Sequence, residues 1–312
     1  MKISKPFIGI IAFLIVLFTM PLGHAAMILM EKGFGHDYIY QAAVILGFVG
    51  FFLVVWGVVV NKETSSTFLG LFGGLFIWTG WIEFAFVYYA NRFGVEPLMV
   101  NGEVVTKPEY LIMPSSVGFW AVLMMYYFFS SKTGCEFFNW FQRKLKINNS
   151  ISHTPKSKNY TMSTVMELVI LLWTFYLVLL FAYDNDFFGY QSPVTYTIAF
   201  GSLFWSGYLF IKLLKITKLG YAVRYAIPTV IIFWNFIEIL GRWDVFKEIW
   251  IEPGKYWLEM TLVLLFLWLY LLLQHLGRRK KVISNKFQII YWYYILHELP
   301  ANQPVEYAIC KL

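Results

Sequence analysis

Two carboxylates stand inside apolar runs: Glu83 in WTGWIEFAFVYY and Glu238 in FWNFIEIL. A charge at the centre of a bilayer costs about 2.5–3.5 kcal/mol on insertion scales, so each acid should face the interior of a helix bundle and have a partner. Arg242 follows Glu238 at i+4, on the same helix face, and can pair with it. Arg92 follows Glu83 at i+9, nearly the opposite face, so Glu83 must find a partner on another helix or hold a proton. Glu259 is a third acid of this kind, in the first turns of a later apolar run. Such groups bind cations, relay protons, or fix helix packing through buried hydrogen bonds.

A second set could ligate metal. His24, Met27 and Met30 fall within two helical turns, with His36 and Asp37 shortly after. Imidazole with thioether suits copper, and a mixed set drawing carboxylates toward His24 and His36 would suit another divalent metal. Methionine is also ordinary core filler. Trp81 and Tyr88 flank Glu83 within an aromatic-rich stretch, where ring faces serve either an interfacial belt or a pocket for a cationic ligand. The catalytic residues, if any, are not identifiable. There is no GxxxxGK[ST], HExxH or GxSxG, which removes support for a P-loop ATPase, a zincin or an α/β-hydrolase.

The elements that must position these residues are membrane helices. Of 312 residues, 59% are hydrophobic and only 14% charged, against about 25% charged in a soluble chain. Eight runs reach or approach the roughly 20 residues needed to span hydrocarbon: about 6–30, 39–60, 66–90, 109–130, 164–183, 193–213, 221–241 and 255–275. The opening MKISK and its apolar run partly resemble a secretory signal, but the run is long and uncharged to Met30, which favours a retained first helix. The cysteines, Cys135 and Cys310, are far apart and support neither a disulfide framework nor a zinc ribbon.

Basic residues set the orientation. With cytoplasmic termini, Lys2, Lys5, Lys62, the Lys132–Lys158 and Lys212–Arg224 groups and the basic tail all fall inside, leaving six of 25 outside. The net charge of +7 then reflects topology and anionic lipid, not nucleic acid. Most of the 18 acids lie on the outer side.

The halves resemble each other. Trp78, Trp81, Ile82 and Glu83 align with Phe233, Phe236, Ile237 and Glu238, and Val95-Glu96-Pro97 aligns with Ile251-Glu252-Pro253 after a one-residue slip. A repeat of four helices returns the chain to its starting side, so the repeats should be parallel, about an axis along the membrane normal. Residues 1–131 would form the first repeat, 132–162 a basic cytoplasmic linker, 163–277 the second repeat, and 278–312 a cytoplasmic tail with an interfacial helix. Asn101-Gly102 between β-prone triplets predicts a small outer hairpin near 98–105.

The expected protein is therefore an all-α integral membrane protein of eight spans, in a bacterial inner membrane with both termini cytoplasmic. An outer-facing acidic and aromatic cavity between the repeats, lined by Glu83, Glu238, Arg242, Glu259, Trp81 and Tyr88, would bind or transport a cation or small organic solute. The alternatives are an enzyme or redox-complex subunit with an outer metal site, or a non-catalytic assembly subunit of a membrane complex. The transport reading needs a polar path to the cytoplasm, for which the sequence offers little beyond Glu167.

Overall fold

A computed structural model describes residues 6–60, 62–100, 103–129, 136–145, 159–246 and 254–269. These residues are mostly helical. The first two helices, α1 (Phe7–Gly35) and α2 (Tyr38–Val59), follow each other almost without a loop. The chain reverses at Gly35, whose φ of 62° lies in the left-handed region that a side chain would disfavour. Next comes α3 (Glu63–Arg92), 30 residues long. At about 1.5 Å per residue it measures roughly 45 Å, longer than a hydrocarbon core of about 30 Å.

Then come the strands β1 (Leu98–Val100) and β2 (Glu103–Thr106), paired antiparallel with an irregularity between Leu98 and Met99. The Asn101-Gly102 turn itself lies outside the described residues. The short α4 (Pro108–Ile112) has proline in its first turn, where a missing N–H costs nothing. A 3₁₀ turn, Met113–Ser116, leads into α5 (Val117–Phe129). The amphipathic α6 is Glu136–Lys144. The second half contains α7 (Tyr160–Tyr183), α8 (Pro193–Leu213), α9 (Leu219–Arg242) and α10 (Trp257–Leu269). Asn159 and Ser192 cap α7 and α8 by accepting from the amides of Met162 and Thr195, each at 3.2 Å.

Six helices are long and apolar enough to span a membrane: α1, α2, α3, α7, α8 and α9. That is the arrangement of a polytopic membrane protein. The expected count of eight is not reached among the described residues. The run at 109–130 is divided by the 3₁₀ turn containing Pro114, which cannot donate a helical hydrogen bond. The run at 255–275 is described only to Leu269. Within the expected 132–162 linker α6 is helical and packs back on α5: Gln142 donates to the Phe128 carbonyl at 2.9 Å and Phe141 packs edge-on against Phe128, while residues 146–158 lie outside the described residues. The Ile251-Glu252-Pro253 motif and the interfacial helix expected in the tail fall outside the described residues.

The described residues up to Met260 form one compact unit, and those from Thr261 belong to a second. In the first, helices approach closely through small residues. The Gly70 and Gly74 pair of α3 faces α7: a Cβ at Gly70 would sit 2.8 Å from the Thr161 carbonyl oxygen, and one at Gly74 would sit 3.0 Å from Leu168. The opposite face of α3 meets α2, where a Cβ at Gly80 would lie 2.5 Å from the Ala43 carbonyl oxygen. The outer surfaces of α2 and α8 expose large apolar side chains, including Phe52, Trp56, Phe204 and Ile211, as lipid-facing helices do.

Candidate functional site

Glu83 closes a π-helical turn, Trp78–Glu83, in the middle of an otherwise α-helical α3. Single π turns widen a helix by one residue and occur often at functional sites. Here Trp78, Thr79, Gly80 and Glu83 of the turn are buried. Glu83 is 3% exposed and nine residues short of Arg92, about 14 Å along the axis from that end of the helix. Trp78 and Thr79 lie within hydrogen-bonding reach of its carboxyl.

The partner of Glu83 comes from α7. The Tyr176 hydroxyl lies 3.4 Å from Glu83 Oε1 and 3.0 Å from Nε2 of His24 on α1. His24 Nδ1 is 3.4 Å from the Met20 carbonyl oxygen. The three side chains thus form one hydrogen-bonded chain across three helices. Tyr176 is held by near-parallel rings, Tyr110 at 5.8 Å and Trp78 at 5.7 Å between centroids. His24, Tyr110 and Tyr176 each keep partial exposure, so Glu83 is the most buried member of the group.

The partners dictate where protons can sit. A carbonyl only accepts, so the 3.4 Å contact with Met20 is made by the tautomer of His24 that carries its hydrogen on Nδ1. Two arrangements of the rest satisfy every group. In one, a neutral Glu83 donates to the Tyr176 oxygen, and Tyr176 donates to a neutral His24. In the other, Tyr176 donates to the Glu83 carboxylate and accepts from a positively charged His24. Both hold three protons, and they differ by one proton passed from Glu83 to Tyr176 and one from Tyr176 to His24. This site can therefore move a positive charge between α3 and α1 without moving a heavy atom.

Glu238 belongs to the same neighbourhood. Its carboxylate accepts from Trp234 Nε1 at 2.6 Å, and its charge reaches both Tyr110 and Tyr176. Burial keeps the Tyr110 phenol protonated far above its ordinary range, and Glu83, Glu109 and Glu238 reinforce this. Arg242 donates to Thr106 at 3.0 Å and lies over the rings of Tyr183 and Tyr190, at 5.0 and 5.7 Å.

Other expected residues are dispersed. Trp81 faces α2, donating to the Val44 carbonyl at 3.2 Å and packing against Phe48. Tyr88 is half-exposed beside Tyr40, and Glu259 is exposed on α10. Met27 is buried with Ile39, Ala43, Phe84 and Val87, and Met30 packs on the same apolar cluster. The His24–Met27–Met30 ligand set is thus divided between a polar chain and an apolar core. The side chains of His36 and Asp37 lie outside the described residues. Among the described residues no three His, Cys, Asp or Glu side chains converge as a metal would require.

Two features were not expected. Glu109, at the start of α4, is buried beside the site. Near the other end of α3, Arg224 of α9 pairs with Glu63 at 2.6 Å, donates to Thr67 at 2.7 Å and stacks over Tyr160 at 4.5 Å. Tyr176 had one usable signal, a hydroxyl deep in an apolar helix that must find a partner. Glu109 carries no sequence signal that sets it apart from the other acids, and Arg224 counts in the sequence as one more cytoplasmic positive charge.

No known family model, curated protein or solved structure matches this chain.

Proposed function

We propose that this protein binds a cation at Glu83 and carries it across a membrane, the proton being the cation its side chains can pass on. The observation that carries this reading is the Glu83–Tyr176–His24 chain, in which the same atoms satisfy two proton distributions. An intramembrane acid with a polar partner on another helix is a functional-site candidate, and substrate pathways and proton relays are among the roles such acids mark.

A polar route toward the opposite end supports carriage over binding alone. Glu167, 3% exposed, lies nine residues before Tyr176 on α7. Beyond it stand buried Thr164, Thr161 and Thr67, and then the Arg224–Glu63 pair. Two parallel repeats are supported by equivalent packing: α3 against α7 matches α9 against α1, and α2 against α3 matches α8 against α9. The basic-residue bias supports cytoplasmic termini, in a bacterial inner membrane.

The test is cation flux into proteoliposomes. Wild-type protein should support proton uptake driven by a potassium diffusion potential. Glu83→Gln should abolish it, and Tyr176→Phe should slow it by about 10²-fold, the scale of a lost proton-transfer group. Wild-type flux through Glu83→Gln would exclude this reading.

A further inference from the structure

We propose that Glu109 is the loading site of this proton path, a carboxyl between the outer surface and Glu83 that takes up a proton and hands it inward. The proposal rests on the cation-carrier reading and names both its ligand and its port.

Glu109 is 5% exposed, and its Oε1 has no hydrogen-bond partner among the described residues. A buried carboxylate oxygen without a donor is expensive, whereas a neutral carboxyl in the same place costs far less. Lys107 holds its Nζ 3.9 Å away, at the limit of an ion pair, and is itself partly exposed. Three charged groups act on Glu109: Lys107 just before it, Glu31 near the end of α1, and Glu83 of α3. Burial raises its proton affinity most; its own backbone amide and Lys107 oppose this, and the two acids add to it.

Burial of the acids is graded inward. Glu31 keeps partial exposure, Glu109 is buried, and Glu83 is buried more deeply within α3. Tyr110, next to Glu109 in α4, stacks on Tyr176, so the segment carrying Glu109 also builds the relay. The transfer balances simply. A hydronium ion gives its proton to the Glu109 carboxylate and leaves water. Glu109 then gives that proton to the Glu83 carboxylate and returns to its anionic form, ready to reload.

The sodium ion is the alternative occupant of a carboxylate pair, and the experiment separates the two. Full-length protein is reconstituted in liposomes holding a pH-sensitive dye, with potassium and valinomycin setting the potential and with or without sodium. The infrared carbonyl band of protonated carboxyl groups is followed through a pH titration of the same preparations. Glu109→Gln should remove one titrating band and slow proton uptake by about tenfold or more, with Glu109→Asp restoring much of both. Persistence of the Glu83 band in Glu109→Gln shows that the fold is intact.

Wild-type uptake through Glu109→Gln, with Glu83→Gln inactive, would overturn the port and leave the carrier reading standing. Sodium uptake that needs Glu109, without proton uptake, would overturn the choice of ligand. Unchanged uptake through Glu83→Gln would remove the carrier reading and this proposal with it.

Discussion

At the residue scale, Tyr176 does two jobs that can be separated. Its ring stacks on Trp78 and Tyr110, and its hydroxyl joins Glu83 to His24. Tyr176→Phe keeps the first and removes the second. It should lower stability by about 1–3 kcal/mol, the cost of leaving a buried acceptor short of a donor, while thermal unfolding remains cooperative. Glu109 gives a prediction with a definite sign. Because its folded-state proton affinity is raised, its contribution to stability is present below the ordinary carboxylate range and is lost as pH rises through the raised value. Glu109→Gln, which cannot ionise, should therefore flatten the fall in stability over that window, as measured by thermal unfolding at a series of pH values. Glu83 was legible in the sequence because a lone acid in an apolar helix has few explanations. Its partner was not, since the Tyr176 hydroxyl and His24 imidazole meet across more than 150 residues of chain.

At the element scale, α3 organises the molecule. One face meets α7 through Gly70 and Gly74, the other meets α2 through Gly73 and Gly80, and the π turn lies where both contacts must be accommodated. Gly80→Val should cost about 1–3 kcal/mol through overpacking against the Ala43 carbonyl and Gly47. Gly201→Ala, on α8 with open space around the added methyl, should instead be neutral or stabilise by up to about 1 kcal/mol. Unfolding midpoints of the two variants in detergent give the comparison. The close packing has its sign in the sequence, where Gly70 and Gly74 stand four apart, and the six long helices were readable from the length of their apolar runs. The π turn was not readable, because WTGWIE fits an α-helical period equally well. The 3₁₀ break at Met113–Ser116 had its sign in Pro114, although the surrounding apolar run suggested a continuous span.

At the scale of the whole molecule, polar groups now occupy both ends of the bundle. The sequence suggested a one-sided site, because its acids gather on the outer side and it offers little beyond Glu167 toward the cytoplasm. Folding brings Arg224 and Glu63 within 2.6 Å, with Thr67 and Tyr160 completing the cluster. Arg224→Met leaves the Glu63 carboxylate without its partner and should destabilise the α3–α9 contact more than the double change Arg224→Met with Glu63→Met. A double-mutant cycle on unfolding free energy reads the difference. The positive-inside bias makes a topological prediction as well: cysteines placed at Glu96 and Arg143 should label from opposite sides of an intact membrane.

The central claim is that Glu83, Tyr176 and His24 share one set of protons. Its most direct measurement is nitrogen-15 nuclear magnetic resonance of the His24 imidazole in reconstituted protein, wild type beside Glu83→Gln and Tyr176→Phe. The wild type should show Nε2 exchanging between its protonated and unprotonated signals, and each variant should show one signal without exchange. An Nε2 signal identical in all three proteins would contradict the relay.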